Sequence, residues 1–330
     1  MKVADLAERV LAGDRRAMAR AISLVEDGSP DLAALSLAIY PRTGRALTVG
    51  GTGSPGVGKS SLAEQVVRAA RSRGRTVAVL AIDPTSPFSG GALLGDRLRM
   101  QAHATDPGVF IRSMATRGHL GGMALAAPEA LRILDASGKD LIIVETVGVG
   151  QAEVEVASAA DTTLVVVQPG WGDAVQASKA GILEIADIFV VNKADREGAD
   201  DAVRDLRSML RMGPKTDWVP PIVKTSTVTG DGIDELWDAI ERHRQHGDAS
   251  GELGARRSRR VLAEVQSMVA FRLGERAAAL LRDDGGSRGL AAELAARRLD
   301  PYRAAEILLK EVTATTGSHG DGKSAGEGDG

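Results

Sequence analysis

The chain has no cysteine. That excludes disulfides, thiolate metal sites and cysteine nucleophiles. Aromatic residues are only 3% of its 330 residues, too few to build a base-stacking platform for single-stranded nucleic acid. Hydrophobic residues still reach 43%, so Val, Leu, Ile and Ala must fill the core. Neither sign of charge is in excess. A net charge of −3 gives no electrostatic case for nucleic acid or an anionic membrane. No apolar run reaches the length of about 18 residues that a membrane span needs. Met1 to Val10 is charged throughout and carries no apolar stretch, so no secretory signal is expected. The five histidines, His103, His119, His243, His246 and His319, are scattered. Only His243 and His246 share a helix, and all five read as structural or solvated. These absences predict a soluble, cytoplasmic protein. The length favours one large α/β domain with helical additions, or two domains.

What is present is a phosphate cradle. Gly53-Ser54-Pro55-Gly56-Val57-Gly58-Lys59-Ser60 reads G-x-x-x-x-G-K-S. An apolar run, Ala46 to Val49, precedes it, and a helical pattern from Ser61 to Arg73 follows. The motif needs that strand–loop–helix context. Its glycines let the backbone curl so that successive N–H groups point inward at phosphate oxygens. The helix N-terminus adds its positive dipole end. Lys59 can then reach the β- and γ-phosphates, and the Ser60 hydroxyl can ligate Mg²⁺.

From Ala46 to about His246, short apolar runs alternate with helical stretches, the pattern of a mostly parallel sheet. The expected strands are Ala46–Gly50, Thr76–Ile82, Val109–Arg112, Leu141–Glu145, Thr163–Val167, Ile188–Asn192 and Ile222–Thr225. Ligand chemistry belongs at their C-terminal ends, and the remaining motifs fall there. Asp83 follows the second run and points into a nucleotide crevice. Asp96, after a Gly- and Ser-rich loop, fits a segment that senses Mg²⁺ and the γ-phosphate, or else caps a helix. Glu145 follows the fourth run, where a carboxylate holds Mg²⁺ directly or through water. Gly148 would let its N–H approach the γ-phosphate. Val149 stands where Ras-like enzymes carry the glutamine that orients the attacking water. Slow intrinsic hydrolysis follows unless another element supplies that group. Asn192-Lys193-Ala194-Asp195 is N-K-x-D, a guanine reader: the Asp195 carboxylate can accept from N1–H and the 2-amino group together. Adenine offers no such pair, so a buried Asp195 would be left unpaired. Lys193 can lay its stem over the base. Thr225-Ser226-Thr227 resembles the short loop whose backbone N–H groups meet guanine O6. Lys179 lies in a glycine-containing stretch and reads, by composition alone, as an ordinary solvated lysine.

Outside this region the chain is helical. Asp14 is placed to cap a helix whose Met18, Ile22 and Val25 share one face. Pro30-Asp31 opens a second helix toward Tyr40. This arm reads as a packing extension that precedes the nucleotide core. From about Ala255 to Arg282 the stripe Leu262, Val265, Val269 and Leu273 either packs on the core or meets a second subunit. Two further helical pieces span Gly289–Arg298 and Pro301–Thr313. The expected divisions are a helical arm over 1–44, a GTPase domain over 45–248, a C-terminal helical region over 249–315 and a disordered tail over 316–330.

The segments GSPGVGKSS, AIDPTSPFSGGALLGDRLRM, ETVGVGQAEVEVA, GDAVQASKAGILEIADIFVVNKAD and LDPYRAAE together resemble the MeaB/ArgK family. Those are GTPases associated with methylmalonyl-CoA mutase, also called methylmalonic aciduria type A proteins. The resemblance runs over roughly residues 10 to 313. It implies a P-loop G protein that uses GTP/GDP and Mg²⁺ and chaperones an adenosylcobalamin-dependent acyl-CoA mutase. Such proteins gate cofactor loading and protect the mutase. They hydrolyse GTP slowly, are stimulated by the mutase, and form homodimers. The resemblance also matches Glu145 to the family's ExxG and Asp83 and Asp96 to its Mg²⁺-site acids. It matches Lys179 to a lysine that serves hydrolysis when the mutase is bound; if that lysine is ordinary, Arg112, Arg117 or a mutase residue is next in line. Older labels call these proteins transport-system kinases for basic amino acids, and no motif supports that label. The site expected from all of this comprises residues 53–61 with Ser61 closing the loop, Asn192, Lys193, Asp195 and Thr225–Thr227. Lys59, Lys179 and Glu145 are its catalytic groups, and Ser60, Asp83, Asp96 and Glu145 its metal ligands. A P-loop kinase acting on a small acceptor is the alternative, disfavoured by the guanine reader. A nickel-inserting GTPase would need a Cys or His cluster. A scaffold that binds nucleotide without turnover is the remaining reading.

Overall fold

Seven short runs rich in Val, Ile and Leu form one parallel sheet. A computed structural model describes residues 2–83, 103, 105–115, 123–146, 159–171, 184–213, 216–282 and 289–314. The strands are β1 (Leu47–Thr52), β2 (Val77–Asp83), β3 (Val109–Ala115), β4 (Leu141–Thr146), β5 (Thr162–Val167), β6 (Ile188–Val191) and β7 (Ile222–Lys224). They lie in the order β3-β2-β4-β1-β5-β6-β7. All seven expected strands are present, with ends that differ by at most three residues. Such runs are the mark of strands covered on both faces. β1 has β4 on one side and β5 on the other. The chain leaves β1 toward one edge of the sheet and later returns past it toward the other, which makes the C-terminal end of β1 the crevice of the fold.

Helices cover both faces. Among the described residues these begin with α1 (Val3–Leu11), α2 (Arg15–Glu26), α3 (Leu32–Ile39), α4 (Lys59–Ser72) and α5 (Met123–Ala136). They continue with α6 (Ala199–Met212), α7 (Ile233–Ser250) and α8 (Glu252–Arg282). Asp14 caps α2 as its position predicts, accepting from the N–H groups of Arg16 and Ala17. The arm does not stand apart from the nucleotide core. Met18, Ile22 and Val25 share one buried cluster with Leu80 and Ile82 of β2 and with Phe110 and Met114 of β3. Arg15 also donates to the carbonyls of Asp106 and Val109. The apolar stripe of α2 therefore finds its partner in the sheet itself. On the opposite face α4 and α7 pack over β1, β4 and β5, with Leu62, Val66, Leu236 and Ile240 buried among the strand residues. A third cluster joins α6 to β5 and β6 around Phe189 and Leu206.

The chain divides into two compact units, residues 1–264 and 265–330. The second holds the end of α8 and the helices α9 (Leu290–Ala295) and α10 (Pro301–Ala314). Asp300 accepts from the N–H groups of Tyr302 and Arg303 and so starts α10. In the α8 stripe, Leu262, Val265 and Val269 are exposed and Leu273 is half-buried. The expected tail falls outside the described residues.

Candidate nucleotide-binding site

The P-loop leaves β1 at Thr52 and enters α4 at Lys59. Gly53 and Gly58 take φ of 142° and 95°. A Cβ on Gly53 would lie 2.2 Å from the Val166 carbonyl oxygen, and one on Gly58 2.5 Å from Asn192 Nδ2. Both positions therefore need glycine twice over, for backbone conformation and for close approach. Val57 is buried in the same cluster as Leu62 and Val66 and pins the loop's centre to the core. Ser54, Pro55 and Gly56 around it are exposed. Lys59 Nζ donates to the Gly53 carbonyl, with the Ser54 carbonyl at 3.5 Å, so the ammonium stays at the loop. Ser61 sits in the first turn of α4.

Ser60 Oγ donates to Glu145 Oε1. Glu145 is 4% exposed and pairs in register with Gly51 of β1 and Ala81 of β2. A hydroxyl beside a buried carboxylate is a hard-oxygen donor set of the kind Mg²⁺ takes, with phosphate and water oxygens in its other positions. The residues present fit that ion. Asp83 ends β2 opposite Ala115. Asp96, Lys179, Gly148 and Val149 lie outside the described residues, as does Arg117. Arg112 is withdrawn as a candidate for the phosphates. Its guanidinium donates to Glu26 at 2.7 Å and to Ser23 at 3.1 Å, both on α2.

The guanine reader follows β6. Asn192 is fully buried, and its amide braces the site rather than facing a base. Nδ2 donates to the Val57 carbonyl at 2.8 Å, and Oδ1 accepts from Thr225 Oγ1 at 3.2 Å. One side chain thus joins the P-loop to the 225–227 segment. Lys193 takes a left-handed φ of 57°. Its Nζ donates to the Gly56 carbonyl and to Gln168 Oε1, both at 2.6 Å. Asp195 Oδ1 accepts from Ser226 Oγ at 2.6 Å, and that bond holds the carboxyl below the ordinary carboxylate value of 3.8. Asp195 is therefore ionised at neutral pH, with lone pairs left for two more donors. It is exposed, so the burial assumed in the sequence argument must come from the base itself. The expectation for residues 225–227 also needs correcting. The Thr225 N–H donates to the Val191 carbonyl and the Ser226 N–H to the Asp231 carbonyl, so two of the three amides are engaged elsewhere. Their side chains serve instead, Thr225 on Asn192 and Ser226 on Asp195. Thr227 offers its carbonyl to Gln65 Nε2 at 3.2 Å.

The model of the family described as methylmalonyl-CoA mutase-associated GTPase MeaB matches residues 18–281. The chain belongs to the MeaB family. A Pyrococcus abyssi protein is 49% identical over 93% of this chain and 96% of its own length. The GTPase ArgK of Escherichia coli is 38% identical over 76% of this chain and 78% of its own. The solved structure of an LAO/AO transport system kinase covers 94% of this chain and 97% of its own, at 29% identity and a TM-score of 0.69. As a P-loop GTPase of the MeaB family, the chain binds guanine nucleotide and hydrolyses GTP.

This MeaB-family chain also carries a charged cluster that motif reading missed. Asp161 and Asp187, buried at the N-terminal ends of β5 and β6, are held by the first turns of α8. Arg256 donates twice to Asp187, at 2.7 and 3.0 Å. Arg257 donates to Asp161 at 3.1 and 2.6 Å, and Arg260 also reaches it. His243, read as structural, bonds Thr162 Oγ1 at 2.8 Å and lies 3.2 Å from Asp187. The signal was present twice in the sequence: Ala160-Asp161 and Ala186-Asp187 each precede a buried strand, and Arg256-Arg257-Ser258-Arg259-Arg260 follows. A cavity of about 630 Å³ beside it, walled by Trp218, His243 and His246, lies at the N-terminal ends of β1, β5 and β6, away from the P-loop.

Proposed function

We propose that this protein is a GTP-hydrolysing chaperone for an adenosylcobalamin-dependent acyl-CoA mutase, gating cofactor loading and protecting the mutase. The match to the mutase-associated family over residues 18–281 carries this reading, because it spans every motif of the site. The mitochondrial methylmalonic aciduria type A homolog of Mus musculus, 36% identical over 75% of this chain, supports it. Among the described residues nothing in the site favours phosphate transfer to a small acceptor over hydrolysis. Lys59 grips the β- and γ-phosphates. Ser60, Glu145, Asp83 and Asp96 hold Mg²⁺, which neutralises phosphate charge. Asp195 reads the guanine edge, with Lys193 alongside the base. Turnover is slow alone and stimulated by the mutase, with Lys179 supplying the added positive charge. The stripe at Leu262, Val265, Val269 and Leu273 contributes to a symmetric dimer. Among the described residues no helix is long and apolar enough to cross a membrane.

Copurification in GDP and GTP-analogue states, read by mass spectrometry, tests the partner. Recovery of no cobalamin-dependent mutase in either state counts against the reading. Two variants test the site. Asp195→Asn is expected to lower GTP affinity about 100-fold, since two charge-assisted bonds are lost. It should gain xanthine nucleotide, whose C2 oxygen accepts from an amide. Unchanged GTP affinity sinks the guanine assignment. Lys179→Ala is expected to remove most of the stimulation by the copurified mutase. A cation at a phosphoryl transition state is worth ~10³–10⁵ when it is an arginine finger, and a lysine should give less, on the order of 10². Single-turnover hydrolysis with the mutase decides it. Full stimulation of the variant makes Lys179 a surface lysine.

A further inference from the structure

We infer that Gln168 is a positioning residue of the guanine site, fixing the Lys193 side chain against which the base lies. The inference rests on the guanine-nucleotide reading above and adds a residue outside its motifs. β5 and β6 are parallel neighbours in register, Val167 opposite Val191. The Asn192 N–H donates to the Val167 carbonyl at 2.8 Å and closes the ladder. Gln168 and Lys193 are therefore the residues that emerge just beyond the two strand ends. There Gln168 Oε1 accepts from Lys193 Nζ at 2.6 Å, and the same ammonium donates to the Gly56 carbonyl at 2.6 Å.

Two short charge-assisted bonds thus hold the far end of a side chain whose near end is held by an uncommon backbone conformation, φ 57°. A lysine stem has four rotatable bonds, and leaving it free would make base binding order it at the moment of association. Held at both ends, the stem is a preformed apolar strip. Preorganisation of this kind raises affinity by removing an ordering cost. The P-loop has its own brace in the Asn192–Val57 bond, independent of Gln168. Loss of the Gln168 acceptor should therefore be felt at the base and not at the phosphates. Gln168 is half-buried and precedes the turn Pro169-Gly170. Leucine fills its volume without the acceptor, and glutamate keeps an acceptor with added charge.

The test compares parent, Gln168→Leu and Gln168→Glu in the full chain with Mg²⁺. Affinity is measured for GDP by calorimetry and for inorganic tripolyphosphate by competition. Losing one of the two bonds that hold the lysine's far end predicts GDP binding about five- to tenfold weaker in Gln168→Leu. Tripolyphosphate binding stays within about twofold, and Gln168→Glu stays within about twofold of the parent for both, by the same argument. Equal weakening toward both ligands means a disturbed P-loop and overturns the inference, and so does a leucine variant that binds GDP like the parent. Failure of the glutamate to restore GDP affinity overturns it as well. A parent chain that does not bind GDP overturns the guanine reading itself, a result distinct from the others.

Discussion

Lys59→Ala is expected to lose GTP turnover by on the order of 10³-fold or more while keeping its fold. The lysine opens α4, and its Nζ bonds include those to the Gly53 and Ser54 carbonyls of its own loop. Alanine is the better helix former, so the backbone has no reason to move. What disappears is the one cation that the P-loop brings to the β/γ bridge. Negative charge then builds up in the transition state without its nearest counter-charge. Single-turnover hydrolysis gives the rate, and a chemical denaturation midpoint gives the fold. A variant that hydrolyses GTP at the parent rate removes the P-loop as the active site.

Asp161→Ala is expected to destabilise the protein by about 3–5 kcal/mol, the range for breaking a buried ion pair from one side. Asp161 is 1% exposed. It accepts from Arg257, from Arg260 and from the Thr48 N–H at 3.0 Å. Removing it leaves two guanidiniums and a strand amide facing a hole. Urea unfolding at neutral pH checks the magnitude, and a loss below about 1 kcal/mol would mean that the cluster is ornamental. The pH dependence has a definite sign. Burial pushes the carboxyls of Asp161 and Asp187 up, but hydrogen bonds and nearby positive charge outweigh it. For Asp161 these come from Arg257 and Arg260, for Asp187 from His243 and Arg256, and both carboxyls sit below 3.8. A depressed carboxylate contributes stability that is complete above its unfolded value. That contribution is lost as the pH falls through the folded value. The parent should therefore lose stability on acidification below about pH 4, and Asp161→Ala should lose less over the same range.

The sheet was legible because it follows from local chemistry. Each strand is a run of residues that fit only a pleat covered on both faces, and each motif begins where a run stops. The P-loop was legible for the same reason, since its glycines mark places where a Cβ has no room. What could not be read were side chains whose partners lie far along the chain. Asn192 belongs to the guanine motif, yet its amide reaches Val57, 135 positions away. Ser226 looked like a backbone contact to the base and instead holds Asp195. Arg112 sat near the right strand but faces the arm, because strand residues alternate sides and its side turns toward α2. The arm reads from the sequence as a packing extension, but its apolar stripe carries no record of the β2 and β3 residues it covers.

The arginine cluster bears on where this protein can be cut. A division after residue 248, at the end of the GTPase motifs, reads naturally from the sequence. Yet Arg256, Arg257 and Arg260 lie beyond it, and they neutralise carboxylates that belong to the sheet. A fragment ending at 248 would contain every nucleotide-binding motif and still leave Asp161 without its two arginines and Asp187 with His243 but no arginine beneath β5 and β6. The smallest self-sufficient piece is set by electrostatic closure rather than by the last motif, and it extends at least one helical turn past Arg257.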